Sequence, residues 1–164
     1  YRRAVAAQGD EREWVADTAA TGLAAVALER PDLVSIDEVE PRLREAAPRR
    51  WTALLLLARV LAEVHDDHAG AAALYRECIA KEQPAEAFVR LARLLQTADP
   101  DGARAVLGGP AGRVQRLDFA RRLLADAADV RGARERAVEV LRDLAGGGDA
   151  LATEARDDLS RLTQ

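Results

Sequence analysis

The chain is predicted to be all-α, a stacked row of antiparallel helix hairpins, on three observations. Its 164 residues are 49 % apolar but only 4 % aromatic, and Ala and Leu supply most of the apolar share. Such a composition favours helix over strand. Proline and glycine fall where helices would end, as in Gly108-Gly109-Pro110 and Gly146-Gly147-Gly148. Two short motifs also recur in phase, three times each.

The elements follow in order. Residues 11–29 are Ala-rich and form a helix that stops before Pro31. Pro41 is expected to open a short helix, because a proline at the first helical position gives up no needed N–H. That helix closes before Pro48. The stretch WTALLLLARVLAEV (51–64) is apolar on nearly every face, as expected of a helix with neighbours on several sides. Further helices are expected at 67–82, 85–97, 101–107, 114–127, 130–144 and 150–162. No segment reads as a strand.

The recurring motifs turn this series into repeats. Asp-x-x-Gly-Ala occurs as Asp67/Gly70/Ala71, Asp99/Gly102/Ala103 and Asp129/Gly132/Ala133. Upstream of each lies a matched trio: Leu57-Ala58-Arg59, Leu91-Ala92-Arg93 and Phe119-Ala120-Arg121. The small residues let two helices approach closely. Each Asp is expected to accept a free N–H at the start of a second helix, worth about 1 kcal/mol. A hairpin with a face it cannot bury alone must stack on its neighbours, which is the logic of a solenoid.

These residues resemble the tetratricopeptide repeat family. The first-helix block is Leu54, Leu57, Ala58, Leu61, then Phe88, Leu91, Ala92, Leu95, then Phe119, Ala120, Leu123. The second-helix block is Ala71, Tyr75, Cys78, then Ala103, Leu107, then Ala133, Ala137, Val140. A loop-closing proline appears once, as Pro84. The resemblance implies a right-handed superhelical array, a TPR-like α-solenoid, with three degenerate hairpins over residues 50–145. Residues 146–164 are read as a capping helix whose apolar stripe is Leu151, Ala155, Leu159 and Leu162. Residues 1–49 are read as irregular helices. There YRRAVA (1–6) parallels YRECIA (75–80), as if the chain began inside an earlier repeat of a longer protein.

By the same resemblance, first-helix residues line a concave groove. Arg59, Arg93 and Arg121 follow equivalent alanines and would form a column, with Arg90, Gln96, Leu55, Val89 and Leu117 beside it. Guanidinium groups bind carboxylates bidentately, so an acidic peptide or partner domain is the ligand such a column would suit. The Lys/Asn set of the family's carboxylate-clamp members has no counterpart here.

Other chemistry is weaker. His65 and His68, with Asp66, Asp67 or Glu63, could hold a metal. Yet Asp67 matches Asp99 and Asp129, whose turns carry no histidine, and Cys78 lies about 16 Å further along the helix. Neither metal nor cofactor is therefore expected, and a metal-dependent enzyme centred on His65, Asp66 and His68 is the least favoured reading. Cys78 falls in an apolar stripe and reads as a buried small residue. No nucleophile set or phosphate loop is found, and no enzymatic activity is expected. The net charge of −4 argues against nucleic acid as a partner. No apolar run would span a membrane, no signal peptide is seen, and a lone cysteine fits a reducing, cytoplasmic setting. The function expected is a non-catalytic protein-interaction scaffold within a larger protein. The alternative is an intramolecular regulatory or dimerisation domain of a bacterial regulator, with self-association of the chain.

Overall fold

Helices are the only regular elements among the described residues of the structure, a computed structural model giving the backbone of residues 2–162 and the side chains of 11–162. In chain order they are α1 (Arg2–Glu29), α2 (Ile36–Ala46), α3 (Trp51–Glu63), α4 (His68–Glu82), α5 (Ala85–Leu95), α6 (Pro100–Val106), α7 (Arg113–Asp126), α8 (Ala133–Ala145) and α9 (Ala150–Leu162). The all-α expectation holds. The parallel drawn at residues 1–6 rests on side chains outside those described.

Three starts differ from expectation by more than one residue, the first being α1, which begins at Arg2 rather than at residue 11. Helix α2 begins at Ile36, so Pro41 sits inside it. Its stripe of Val39, Leu43 and Ala46 is buried, and Asp37 and Glu38 favour the positive end of the helix dipole. Burial of that stripe outweighs the one hydrogen bond that proline removes. Helix α8 begins at Ala133, because Gly132 takes a left-handed conformation at φ 83°.

The chain forms two compact units, the first ending at Cys78 and the second starting at Ile79. In the first, α1 packs on α2 and α3, and α2 packs on α3. Helices α3 and α4 run antiparallel. Cys78 Sγ donates to the Trp51 carbonyl (3.5 Å) at one end, and Leu61 lies against Gly70 at the other. Ala71, Tyr75 and Cys78 are buried together along α4, as their spacing predicts. In the second unit α5 packs on α6 and α7, α7 on α8, and both α7 and α8 on α9. Its core centres on Phe88 and Phe119, whose rings meet edge to face with centroids 5.9 Å apart.

Ala58, Ala92 and Ala120 are all fully buried, as are Ala71 and Ala133, with Ala103 nearly so. The turn motif is less uniform. Asp67 and Asp99 cap as expected, accepting the Gly70 and Gly102 N–H at 2.9 Å each. A Cβ at either glycine would collide with the capping carboxylate folded over it. Asp129 departs from the expectation: it caps nothing and instead accepts from Arg93 Nε at 3.2 Å. Gly132 has open space where a Cβ would go, and is glycine for its positive φ. A further cap was not anticipated: Asp149 accepts the Ala152 N–H (2.9 Å) at the start of α9.

Gly70→Ala is therefore expected to destabilise the fold by about 1 kcal/mol, the worth of the displaced cap. In an Asp67→Ala background the same change is expected to stabilise, because alanine is the better helix former by about 1 kcal/mol. Urea titrations of the four proteins measure the sign reversal.

Candidate functional site

The arginines singled out from sequence are held in place by acids. In the first unit Arg59 pairs with Glu63 one turn on, at 3.0 Å. In the second, Arg93 reaches Asp129, and Arg121 bridges to α9 through Asp158 (2.6 Å) and Glu154 (3.0 Å). Asp158 lies off the apolar stripe of α9, yet its side chain is largely buried beneath this pairing. Arg90 Nε donates to Glu86 at 2.7 Å. Each of these arginines faces a carboxylate of its own element or of a neighbouring one.

Some of them do share a cleft. Glu86, Val89, Arg90 and Arg93 of α5 and Arg122, Ala125 and Asp126 of α7 line a cavity of about 380 Å³. Val89, one of these lining residues, is buried. Arg122, not foreseen from sequence, lies among Asp118 (3.1 Å), Glu86 (3.6 Å) and Asp126 (3.9 Å). The walls thus carry both signs, and an acidic ligand would compete with internal carboxylates. Leu55 and Leu117 are buried in the cores of their respective units, and Gln96 is half-buried at the C-cap of α5.

A second cleft, in the first unit, escaped the sequence reading. Glu13, Trp14 and Asp17 of α1 face Arg49, Arg50, Trp51 and Thr52 across about 410 Å³. Both tryptophans of the chain line it, and both are exposed, Trp14 by 59 % and Trp51 by 36 %. Pro48 ends the α2 turn, and the following two arginines are thrown toward α1. Arg49 grips Asp17 with two hydrogen bonds (3.1 and 2.8 Å) and reaches Glu13 at 3.1 Å. Arg50 lies over the Trp14 ring, its Cζ 5.5 Å from the centroid. Among the described residues Arg50 pairs with no carboxylate.

No family model, curated protein or solved structure matches the chain.

The Trp14/Trp51 cleft combines aromatic surface with charge. Two large amphipathic rings offer contact area at low conformational entropy, and beside one of them stands the Arg50 guanidinium, which forms no ion pair among the described residues. The sequence shows the two tryptophans and the Arg49-Arg50 pair, but their meeting depends on how α1 packs on α3.

The Arg49 hydrogen bonds hold the Asp17 carboxyl below the ordinary carboxylate range, against the opposing effect of burial. Stability from a depressed carboxyl is present above its unfolded pKa and is lost as the pH falls through the folded one. Thermal melts from about pH 6 to about pH 2 are expected to show an acid limb that Asp17→Asn flattens.

The histidines separate. His65 Nε2 lies 2.7 Å from Glu40 Oε2, while His68 Nε2 lies 3.2 Å from Asp66, a residue at φ 56°. Burial raises the Glu40 carboxyl, but hydrogen bonds from His65 and Arg44 outweigh it and leave it lowered. Among the described residues no three His, Cys, Asp or Glu side chains come together to hold a metal ion. Among them, too, no helix is long and apolar enough to cross a membrane.

Proposed function

We propose that the chain is a non-catalytic interaction module that binds a peptide segment of a partner protein, and that the segment inserts an apolar side chain between Trp14 and Trp51. The carrying observation is that the chain's only two tryptophans are exposed in one cleft beside Arg50. A carboxylate next to the inserted side chain would meet Arg50, which keeps an acidic segment as the favoured ligand. Tetratricopeptide-like stacking is the proposed scaffold. It is supported by the burial of the equivalent alanines and by the packing of first helix on next first helix, α5 on α7 and α7 on α9.

Peptide display against the intact chain, counter-selected with Trp14→Ala/Trp51→Ala protein, tests this. Enriched peptides are expected to carry an aliphatic or aromatic residue beside an acid and to change the tryptophan fluorescence. The double variant is expected to bind them more than about tenfold more weakly. Enrichment equal on both proteins would overturn the proposal.

A further inference from the structure

We propose that the chain pairs with a second copy of itself through the outer face of α1, the two helices antiparallel about a two-fold axis. This surface is separate from the tryptophan cleft and stands whether or not a peptide binds there.

Helix α1 turns Asp17, Ala20, Ala24 and Ala27 inward. On the opposite side Val15, Ala19, Gly22 and Val26 recur at spacings of four, three and four, and all are exposed, Val15 by 58 % and Val26 by 40 %. From Thr18 to Leu28 no residue is charged, in a chain where 32 % are. A helix facing water on one side ordinarily carries its charges there.

Gly22 sharpens the point. Glycine in a helix interior costs about 1 kcal/mol relative to alanine. A Cβ at Gly22 would meet nothing within 4 Å, so the fold itself has no need of glycine there. Close approach by another backbone does.

The charges bracketing the stripe identify the occupant. Glu11 and Arg12 stand at one end, Glu29 and Arg30 at the other. Two antiparallel copies centred between Ala20 and Thr21 set Val15 against the partner's Val26 and Ala19 against the partner's Gly22. Glu11 then meets the partner's Arg30, and Arg12 the partner's Glu29. A parallel pair would set like charges together at both ends. The order acid-base, apolar stripe, acid-base is self-complementary under a two-fold, as an isologous interface requires. Among the described residues Glu11, Arg12 and Glu29 form no ion pair, and Arg30 is bound only to exposed Asp32.

The test uses two double variants of these exposed positions. Glu11→Arg/Glu29→Arg makes both ends basic; Arg12→Glu/Arg30→Glu makes both acidic. Sedimentation equilibrium is expected to show a wild-type dimer and, for each variant alone, association at least about tenfold weaker. An equimolar mixture is expected to restore a one-to-one heterodimer, which also shows that both variants are folded. A wild-type protein monomeric at about 100 μM, a variant that dimerises like wild type, or a mixture that does not recover would each overturn the proposal.

Discussion

Phe119→Ala is expected to remove about 3–5 kcal/mol, the largest single loss available in the second unit. The ring has no exposed surface, packs edge-on against Phe88, and lies so close under Gly109 that a Cβ there would strike it. Neither neighbour can fill the void: Phe88 is locked in the same core, and Gly109 has no side chain. The effect has a built-in control, because Trp14 and Trp51 both belong to the first unit. Urea unfolding followed by far-UV circular dichroism reports both units, whereas tryptophan fluorescence reports the first. If the units unfold independently, Phe119→Ala moves the circular dichroism transition and leaves the fluorescence transition in place. Coincident shifts would show one cooperative transition.

Ala120→Leu is expected to come next, at about 1–3 kcal/mol or more, through overpacking. Ala120 is fully buried on α7, which packs against α5, α8 and α9. Leucine adds three carbons where helices touch on several sides and close packing leaves little room for them. Ala92→Leu and Ala58→Leu are expected to behave alike, whereas Ala73→Leu, at an exposed position of α4, is expected to be nearly neutral. Thermal melts of the four proteins distinguish a repeated packing rule from a coincidence of spelling. Equal effects at Ala73 and Ala120 would remove the packing argument for the repeat.

Much of the fold was legible because helix formation here is a local matter. Periodic apolar residues, caps and breakers act within a few residues of one another, and most helix limits fell within two residues of expectation. The misplacements have physical causes. Pro41 reads as a helix start because that is its least strained site, but the buried stripe of Val39, Leu43 and Ala46 extends the helix past it. Asp129 is spelled like a cap, yet Arg93, distant in sequence, claims its carboxylate.

The site was less legible, for the same reason in reverse. Equivalent positions put Arg59, Arg93 and Arg121 on α3, α5 and α7, where Arg93 and Arg121 are exposed and Arg59 is largely covered. What each of them touches is decided by acids on other turns or elements: Glu63, Asp129, and Asp158 with Glu154. Leu55 and Leu117, expected as groove contacts, are turned inward by helix packing, whereas Val89 lines the cleft between α5 and α7. The tryptophan cleft joins residues more than thirty positions apart, a meeting that no short motif encodes.

The three glycines of the repeated turn are one letter with two meanings, and the difference reaches into how this sequence can drift. Gly70 and Gly102 are glycine because of a neighbour, so each is bound to its aspartate as a pair. Lose the acid and the constraint on the glycine lapses; keep the acid and a side chain is excluded. Gly132 answers only to its own backbone angle, and asparagine, at home in that conformation, is its natural substitute whatever becomes of Asp129. Among descendants of this chain the first two turns should therefore show linked changes, and the third should show solitary ones.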